Sequence, residues 1–228
     1  MWIEMVMEYK LTDFNPIGVN DKKTQIVLTD TKRNVKNYIQ ALRYRYNKKN
    51  PYLPNYVISK DGTIYKIMEP NMYSNYLENE TFDKKSIIIS LENFGCLKKN
   101  PLQDNYVNWI GDIYKQKAYE RKWRDCYFWD RYEDLQFESL GNLLNELCEE
   151  FKIPKITIGH NVRQEGVENF KGIATRSNYD VEHKDVNPSF DFKRLENILK
   201  DDKWIWWNES LVEKIKDVNG ATRSHKFG

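Results

Sequence analysis

The residues best equipped for chemistry gather late in the chain, in the segment GIATRSNYDVEHKDVNPSFDFKRL over residues 172–195. His183 and Asp185 stand two apart there, so on an extended backbone both side chains leave from one face and can serve one site. An imidazole titrates near neutral pH and can bind a metal, and a carboxylate accepts hydrogen bonds or holds a cation. Arg176 adds a planar, permanently charged guanidinium, which grips carboxylates through paired hydrogen bonds and is not a metal ligand. His160, in Ile158-Gly159-His160-Asn161, is open to two readings, a ligand or a hydrogen-bonded histidine that ends a strand. The three cysteines, Cys96, Cys126 and Cys148, make no CxxC or other metal pattern. Their odd count argues against a disulfide framework and for a reducing compartment.

Such residues need a frame, and the hydrophobic pattern supplies one. Residues 23–29 (KTQIVLT) and 85–91 (KSIIISL) are continuous apolar runs of the kind buried on both faces of a sheet. Residues 34–47 place Val35, Tyr38, Ile39, Leu42 and Tyr46 at helical spacing, with Thr31 available to cap the start. Residues 55–68 read as a hairpin turning at Asp61-Gly62. A Leu-rich helix is predicted over residues 133–151, stopped by Ile153-Pro154, then a short strand over 155–158 and a helix over 192–199 begun by Asp191. Residues 98–132 lack periodicity and are crowded with aromatics, which marks an insertion whose rings either form a local core or stack on sugars. Strands alternating with helices, plus a hairpin, define an α/β fold with a mixed central β-sheet flanked by helices. It spans residues 1–200, and residues 201–228 form a Trp-rich helical extension whose Trp204, Trp206 and Trp207 could pack internally or dock a protein partner.

Bulk properties narrow the partners. With 36 basic and 34 acidic residues the net charge is only +2, so nothing global draws the chain to nucleic acid. The pairs Lys22-Lys23, Lys32-Arg33, Lys48-Lys49 and Lys98-Lys99 read as solvated faces. No apolar window is long enough to span a membrane, and the acidic start MWIEMVMEYK is unlike a signal peptide. The expectation is a soluble protein of a host cytoplasm or a virion.

Taken in order, QIVLTDT, NYVISKDGTIYKI, SIIISLENFG, the Leu-rich helix and DVNPSFDFKRL resemble the N-acetylmuramoyl-L-alanine amidases, the zinc enzymes whose fold peptidoglycan recognition proteins share. The resemblance covers about residues 23–200. It implies a cleft formed by Thr29, Asp30, Tyr56, Glu92, Asn93, Arg176 and Asp185. In the family, two histidines and an Asp or Cys hold zinc, with an open position for an activated water. Here Asp185 matches, whereas Thr29 and Arg176 stand where the histidines are expected and Pro54 where a tyrosine is. His183 falls where the family has a basic or small polar residue, a candidate proton donor.

The resemblance therefore implies a degenerate zinc site without cofactor, in which Arg176 replaces the metal's charge and pairs with Asp185, and the Lys-, Asn- and Tyr-rich composition adds the expectation of a phage origin. Such a protein would bind peptidoglycan or a muramyl peptide, or a protein partner. Two alternatives stay open. One is an active, endolysin-like amidase with zinc on His160, His183 and Asp185, although His160 and Asp185 are 25 residues apart. The other is a structural virion or tail component that reuses the fold.

Overall fold

The computed structural model describes residues 6–7, 16–47 and 52–199. In chain order its elements are β1 (Val6–Met7), β2 (Gly18–Val19), β3 (Gln25–Asp30), α1 (Val35–Asn47), β4 (Tyr56–Ile58), β5 (Ile64–Lys66), β6 (Met72–Tyr73), α2 (Glu80–Lys85) and β7 (Ser86–Leu91). They continue through β8 (Cys96–Lys99), β9 (Tyr106–Val107), β10 (Ile113–Tyr114), β11 (Tyr119–Trp123) and β12 (Cys126–Trp129). The remainder is α3 (Asp134–Phe151), β13 (Gly172–Thr175), α4 (Arg176–Tyr179) and α5 (Phe192–Ile198).

The central sheet has six strands in the order β1-β5-β4-β7-β3-β13. It is mixed: β3 runs parallel to β7 and β13, and β4 runs antiparallel to β5. Every residue of β3 and β7 is buried, which is why their sequences read as unbroken apolar runs instead of alternating ones. Ile26, Leu28, Ile87 and Ile89 share one core with Leu140, Leu143, Leu144 and Leu147 of α3. Val27 and Ile88 face the other way and meet Tyr76, while Tyr38 and Leu42 of α1 pack over Leu53 and Val57.

Local signals place the ends of these elements. Gly62 has φ +85, the left-handed conformation the hairpin turn requires. Glu133 and Gln136 form a capping box at the start of α3. Asp191 accepts from the Arg194 amide at the start of α5. Gly141 lets α5 approach α3, because a Cβ there would fall 2.1 Å from Ile198. The start of α1 is held by Asn34, whose side chain accepts from the Asn37 amide, and not by Thr31, which donates to the Arg33 carbonyl.

Several expectations change. Residues 155–158 contribute only a single bridge, Thr157 to Ile173, because the chain there runs into the turn of Gly159. The aromatic insertion is a second sheet of order β10-β9-β8-β12-β11, with Leu97, Tyr114 and Ala118 at its core beside Phe94, Tyr106 and Phe128. β8 pairs with β12 with Cys96 opposite Trp129, and Cys96 forms a disulfide with Cys126 at the other end of β12, leaving Cys148 free and buried. The odd cysteine count was thus no guide, since one thiol is simply packed within α3. Lys23, expected on a solvated face, is 3% exposed and donates to the Met72 and Ser86 carbonyls. Residues 201–228, with Trp204, Trp206 and Trp207, lie outside the described residues.

Candidate ligand-binding cleft

Alternation along β3 decides what its last residues meet. Thr29 is in register with Ser90 of β7, so two small hydroxyls interrupt an otherwise apolar layer on the α1 side of the sheet. Tyr38 and Tyr76 lie over them. The Tyr76 hydroxyl is 3.1 Å from Ser90 Oγ, 3.2 Å from the Tyr38 hydroxyl and 3.4 Å from Thr29 Oγ1. Asp30 turns to the opposite side, where the Tyr132 hydroxyl donates to its Oδ1 at 2.6 Å and accepts from the Asn187 amide at 3.1 Å.

Beyond the strand the chain turns at Lys32, with φ 59, and brings its ammonium back over the strand end. Lys32 Nζ lies 2.6 Å from Asp185 Oδ1 and 3.8 Å from Asp30 Oδ2. Thr29 Oγ1 donates to the other carboxylate oxygen of Asp185 at 2.5 Å. Burial by itself would raise the pKa of Asp185, but the Lys32 charge and hydrogen bond, with smaller help from Thr29 and Arg176, hold it down at about 2. Asp30 shows the reverse balance. Burial outweighs Lys32 and pushes its carboxyl up to about 8, so it keeps its proton at neutral pH. Burial would also lower Lys32, yet the two carboxylates raise it above its ordinary value.

These groups open onto a cavity of about 400 Å³, lined also by Arg176, His183, Arg33, Arg45, Tyr52 and Trp109. Arg176 starts α4, with its guanidinium 5.1 Å from the Tyr76 ring centre and 3.5 Å from Glu78 Oε1. It shares the cavity with Asp185, but the ion pair of Asp185 is made by Lys32. Arg176 is therefore not the direct replacement for a metal charge that the sequence suggested. His183 lies 3.6 Å from Asp180, and burial, then the charge of Arg176, lowers its pKa.

Other expected cleft residues prove structural. Tyr56 is buried in the core beneath α3, on the face of the sheet away from Thr29. Glu92 accepts from the Val35 and Lys60 amides, tying α1 to the hairpin. Asn93 is fully buried and bonds to Asp130, Gly95 and Asn187. His160 does not line the cavity; its Nδ1 accepts from the Val162 amide and its carbonyl from Asn178, the capped arrangement of a chain turn. Among the described residues no group of three or more His, Cys, Asp or Glu side chains could hold a metal ion, so His160, His183 and Asp185 do not assemble a site.

Zinc asks for several imidazole, thiolate or carboxylate ligands and an open position. The cavity presents a threonine hydroxyl, an ammonium, a guanidinium nearby, one ionised carboxylate already paired with the ammonium, the Asp30 carboxyl bonded to Tyr132 and the His183 imidazole beside Asp180, and among the described residues no three ligand-type side chains converge. These residues do not fit zinc.

Lys32, Tyr38, Tyr76 and Tyr132 are the site residues that sequence reasoning missed. The Lys32-Arg33 pair, expected on a solvated face, lines the cavity instead. The insertion helps to fix it there. Trp109 Nε1 donates to the Lys32 carbonyl at 3.0 Å, Asn108 Nδ2 reaches the same oxygen at 3.5 Å, and the Arg33 guanidinium lies 4.9 Å from the Trp109 ring centre. On the opposite side Arg124 donates to the His183 carbonyl and Asp125 pairs with Lys184. The insertion thus grips both segments that build the floor.

The architecture is a six-stranded mixed sheet covered by helices, with a polar cleft where β3 ends. The family model for N-acetylmuramoyl-L-alanine amidases matches residues 20–178, and the protein belongs to that family. The match ends before Asp185. No protein of curated function is matched by sequence. Among solved structures, the amidase LysC from Clostridium intestinale is 13% identical with a TM-score of 0.51, covering 83% of this chain and 95% of its own. The Escherichia coli amidase AmiD, solved with its substrate anhydro-N-acetylmuramic acid-L-Ala-D-gamma-Glu-L-Lys, is 12% identical with a TM-score of 0.52, over 82% of this chain and 61% of its own. The Staphylococcus aureus hydrolase AmiA, solved with its ligand, is 10% identical with a TM-score of 0.52, over 85% of this chain and 80% of its own. At these identities the likeness concerns the fold. Among the described residues, no helix is long and apolar enough to cross a membrane.

Proposed function

We propose that this protein binds a muramyl peptide of peptidoglycan in the family cleft and does not hydrolyse it by zinc chemistry. The observation that carries the reading is the Lys32 ammonium, 2.6 Å from the Asp185 carboxylate on the cleft floor. A side-chain ammonium supplies a unit charge but no vacant coordination position, so it cannot bind a water and lower that water's pKa to about 7 as a catalytic zinc does. Support for the ligand class comes from the family and from the structural neighbour AmiD, solved with an anhydro-muramyl peptide as its substrate. A phage setting agrees with the Lys-, Asn- and Tyr-rich composition.

The test combines three measurements on the purified protein. Elemental analysis is expected to find zinc far below one equivalent. Muramyl-peptide binding by calorimetry is expected to survive exhaustive chelation, and chromatography of the incubated ligand is expected to show no released peptide. Stoichiometric zinc together with amide cleavage that chelation abolishes would overturn the reading.

A further inference from the structure

The charges around the cavity are unevenly spent. Lys32 is committed to Asp185, Arg176 faces Glu78, and Asp30 is protonated near neutrality. Arg33 and Arg45 line the same cavity and, among the described residues, neither makes an ion pair with a carboxylate. Arg33 Nε is buried without a hydrogen-bond partner among the described residues, an arrangement that costs free energy unless something accepts from it. Burial, and next the charge of Arg45, lowers the Arg33 pKa below its ordinary value. Two cations share the cavity, and although the Asp112 carboxylate acts on Arg33 from a distance, neither arginine is closed by an ion pair among the described residues.

Shape adds to charge. Arg33 lies against the Trp109 ring, and Trp109 is fixed by its own hydrogen bond to the Lys32 carbonyl, so the guanidinium is held by stacking and cannot swing freely. A planar guanidinium pinned in this way is prepared to donate two parallel hydrogen bonds to a carboxylate. The exposed Arg45 stands on the last turns of α1 and adds a second charge at low desolvation cost.

We infer that Arg33 and Arg45, flanked by Trp109 of the insertion, form an anion seat beside the cleft floor that takes a free carboxylate of the bound ligand. The inference deepens the muramyl-peptide reading and rests on it for the identity of the ligand. The peptide part of such a ligand carries the carboxylate, and the paired floor leaves these two arginines as its counter-charge. Trp109 belongs to the aromatic segment over residues 98–132, so the seat joins that segment to the start of α1.

Calorimetric titration of the full chain separates the possibilities. The probes are a muramyl peptide with its carboxyl free, the same peptide with that carboxyl amidated, and inorganic phosphate. The free acid is expected to bind about tenfold more tightly than the amide, a preference that weakens as salt rises. Arg45→Gln, at an exposed position, is expected to erase most of that preference, and Arg33→Lys to reduce it by keeping charge without the fork. Phosphate binding that is lost in Arg45→Gln, with no binding of either peptide, keeps the seat and discards the muramyl-peptide reading. Equal affinity for acid and amide overturns the inference while leaving that reading intact. So does a wild-type preference in both arginine variants, and an absence of binding to all three probes overturns both.

Discussion

The two faces of the central sheet use the same strands for unlike ends. Toward α3, the alternating residues of β3 and β7 are Ile26, Leu28, Ile87 and Ile89, locked against four leucines of α3. Toward α1, the intervening positions begin apolar with Val27 and Ile88 and end in Thr29 and Ser90, beneath a layer of tyrosine hydroxyls. One face gains stability from area removed from water, about 25 cal/mol per Å² of apolar surface. The other gives up that gain over its last residues to build a hydrogen-bonded floor. Because side chains alternate with a period of two, a strand can carry both without compromise in either. The difference teaches that the polar floor under the tyrosines is separate from the apolar core, and that Lys32 closes it at the strand end, pairing with Asp185 and reaching across to Asp30 on the α3 side.

That separation can be broken most forcefully at Lys32. Lys32→Met leaves the buried Asp185 without its counter-charge, and urea denaturation should register a loss of about 3–5 kcal/mol. Adding Asp185→Asn should recover most of this loss, since an ion pair removed whole costs far less than one partner stranded. Wild-type stability in the single variant would mean that the floor is solvated and the two faces are not distinct in the way described.

The apolar face offers the complementary test. Leu144 is fully buried against the sheet, and Leu144→Ala should cost about 3 kcal/mol by the same denaturation measurement. Muramyl-peptide affinity per folded molecule should not change. A parallel loss of affinity would show that the faces are coupled.

The pH dependence of stability sharpens the comparison at the strand end, where the two carboxyls lie on opposite sides of the sheet. Asp185 has its pKa lowered from 3.8 to about 2 on folding, so it contributes stability above pH 4 that is lost as pH falls toward 2, on the order of 2 kcal/mol. Asp30 has its pKa raised from 3.8 to about 8, so its contribution is fully present below pH 4 and declines as pH rises toward 8. Stability measured across pH should therefore fall on the acid side through Asp185 and drift down toward pH 8 through Asp30. Asp30→Asn should flatten the second limb and leave the first, and an unchanged profile would contradict the opposite assignments of the two carboxyls.

Much of this frame was legible beforehand because it rests on short-range rules. Unbroken apolar runs located β3 and β7, the Asp61-Gly62 turn located the hairpin, and leucine spacing located α3. Asp185 and Thr29 were found through the family pattern, and they do meet. Lys32 escaped because no periodicity covers a residue beyond a strand end, and because a Lys-Arg pair ordinarily marks solvated surface. Its left-handed turn is what reverses that direction. Tyr76 lies in a stretch between elements whose position depends on tertiary packing. Tyr56 misled for a different reason: strand alternation sends it to α3, while the cleft belongs to the other face. The insertion's sheet and disulfide depend on pairing between distant segments that local patterns do not encode.

The grip of Trp109 and Asn108 on the Lys32 carbonyl limits what a single substitution can do to the cleft. A histidine placed at position 29 or at position 176 would meet an aspartate already satisfied by an ammonium whose backbone those two side chains hold in place. Lys32 would have to leave first, and its departure strands a buried carboxylate. Any route by which this floor could acquire a metal thus crosses a less stable intermediate, and the grip on Lys32 makes the present arrangement hard to leave one substitution at a time.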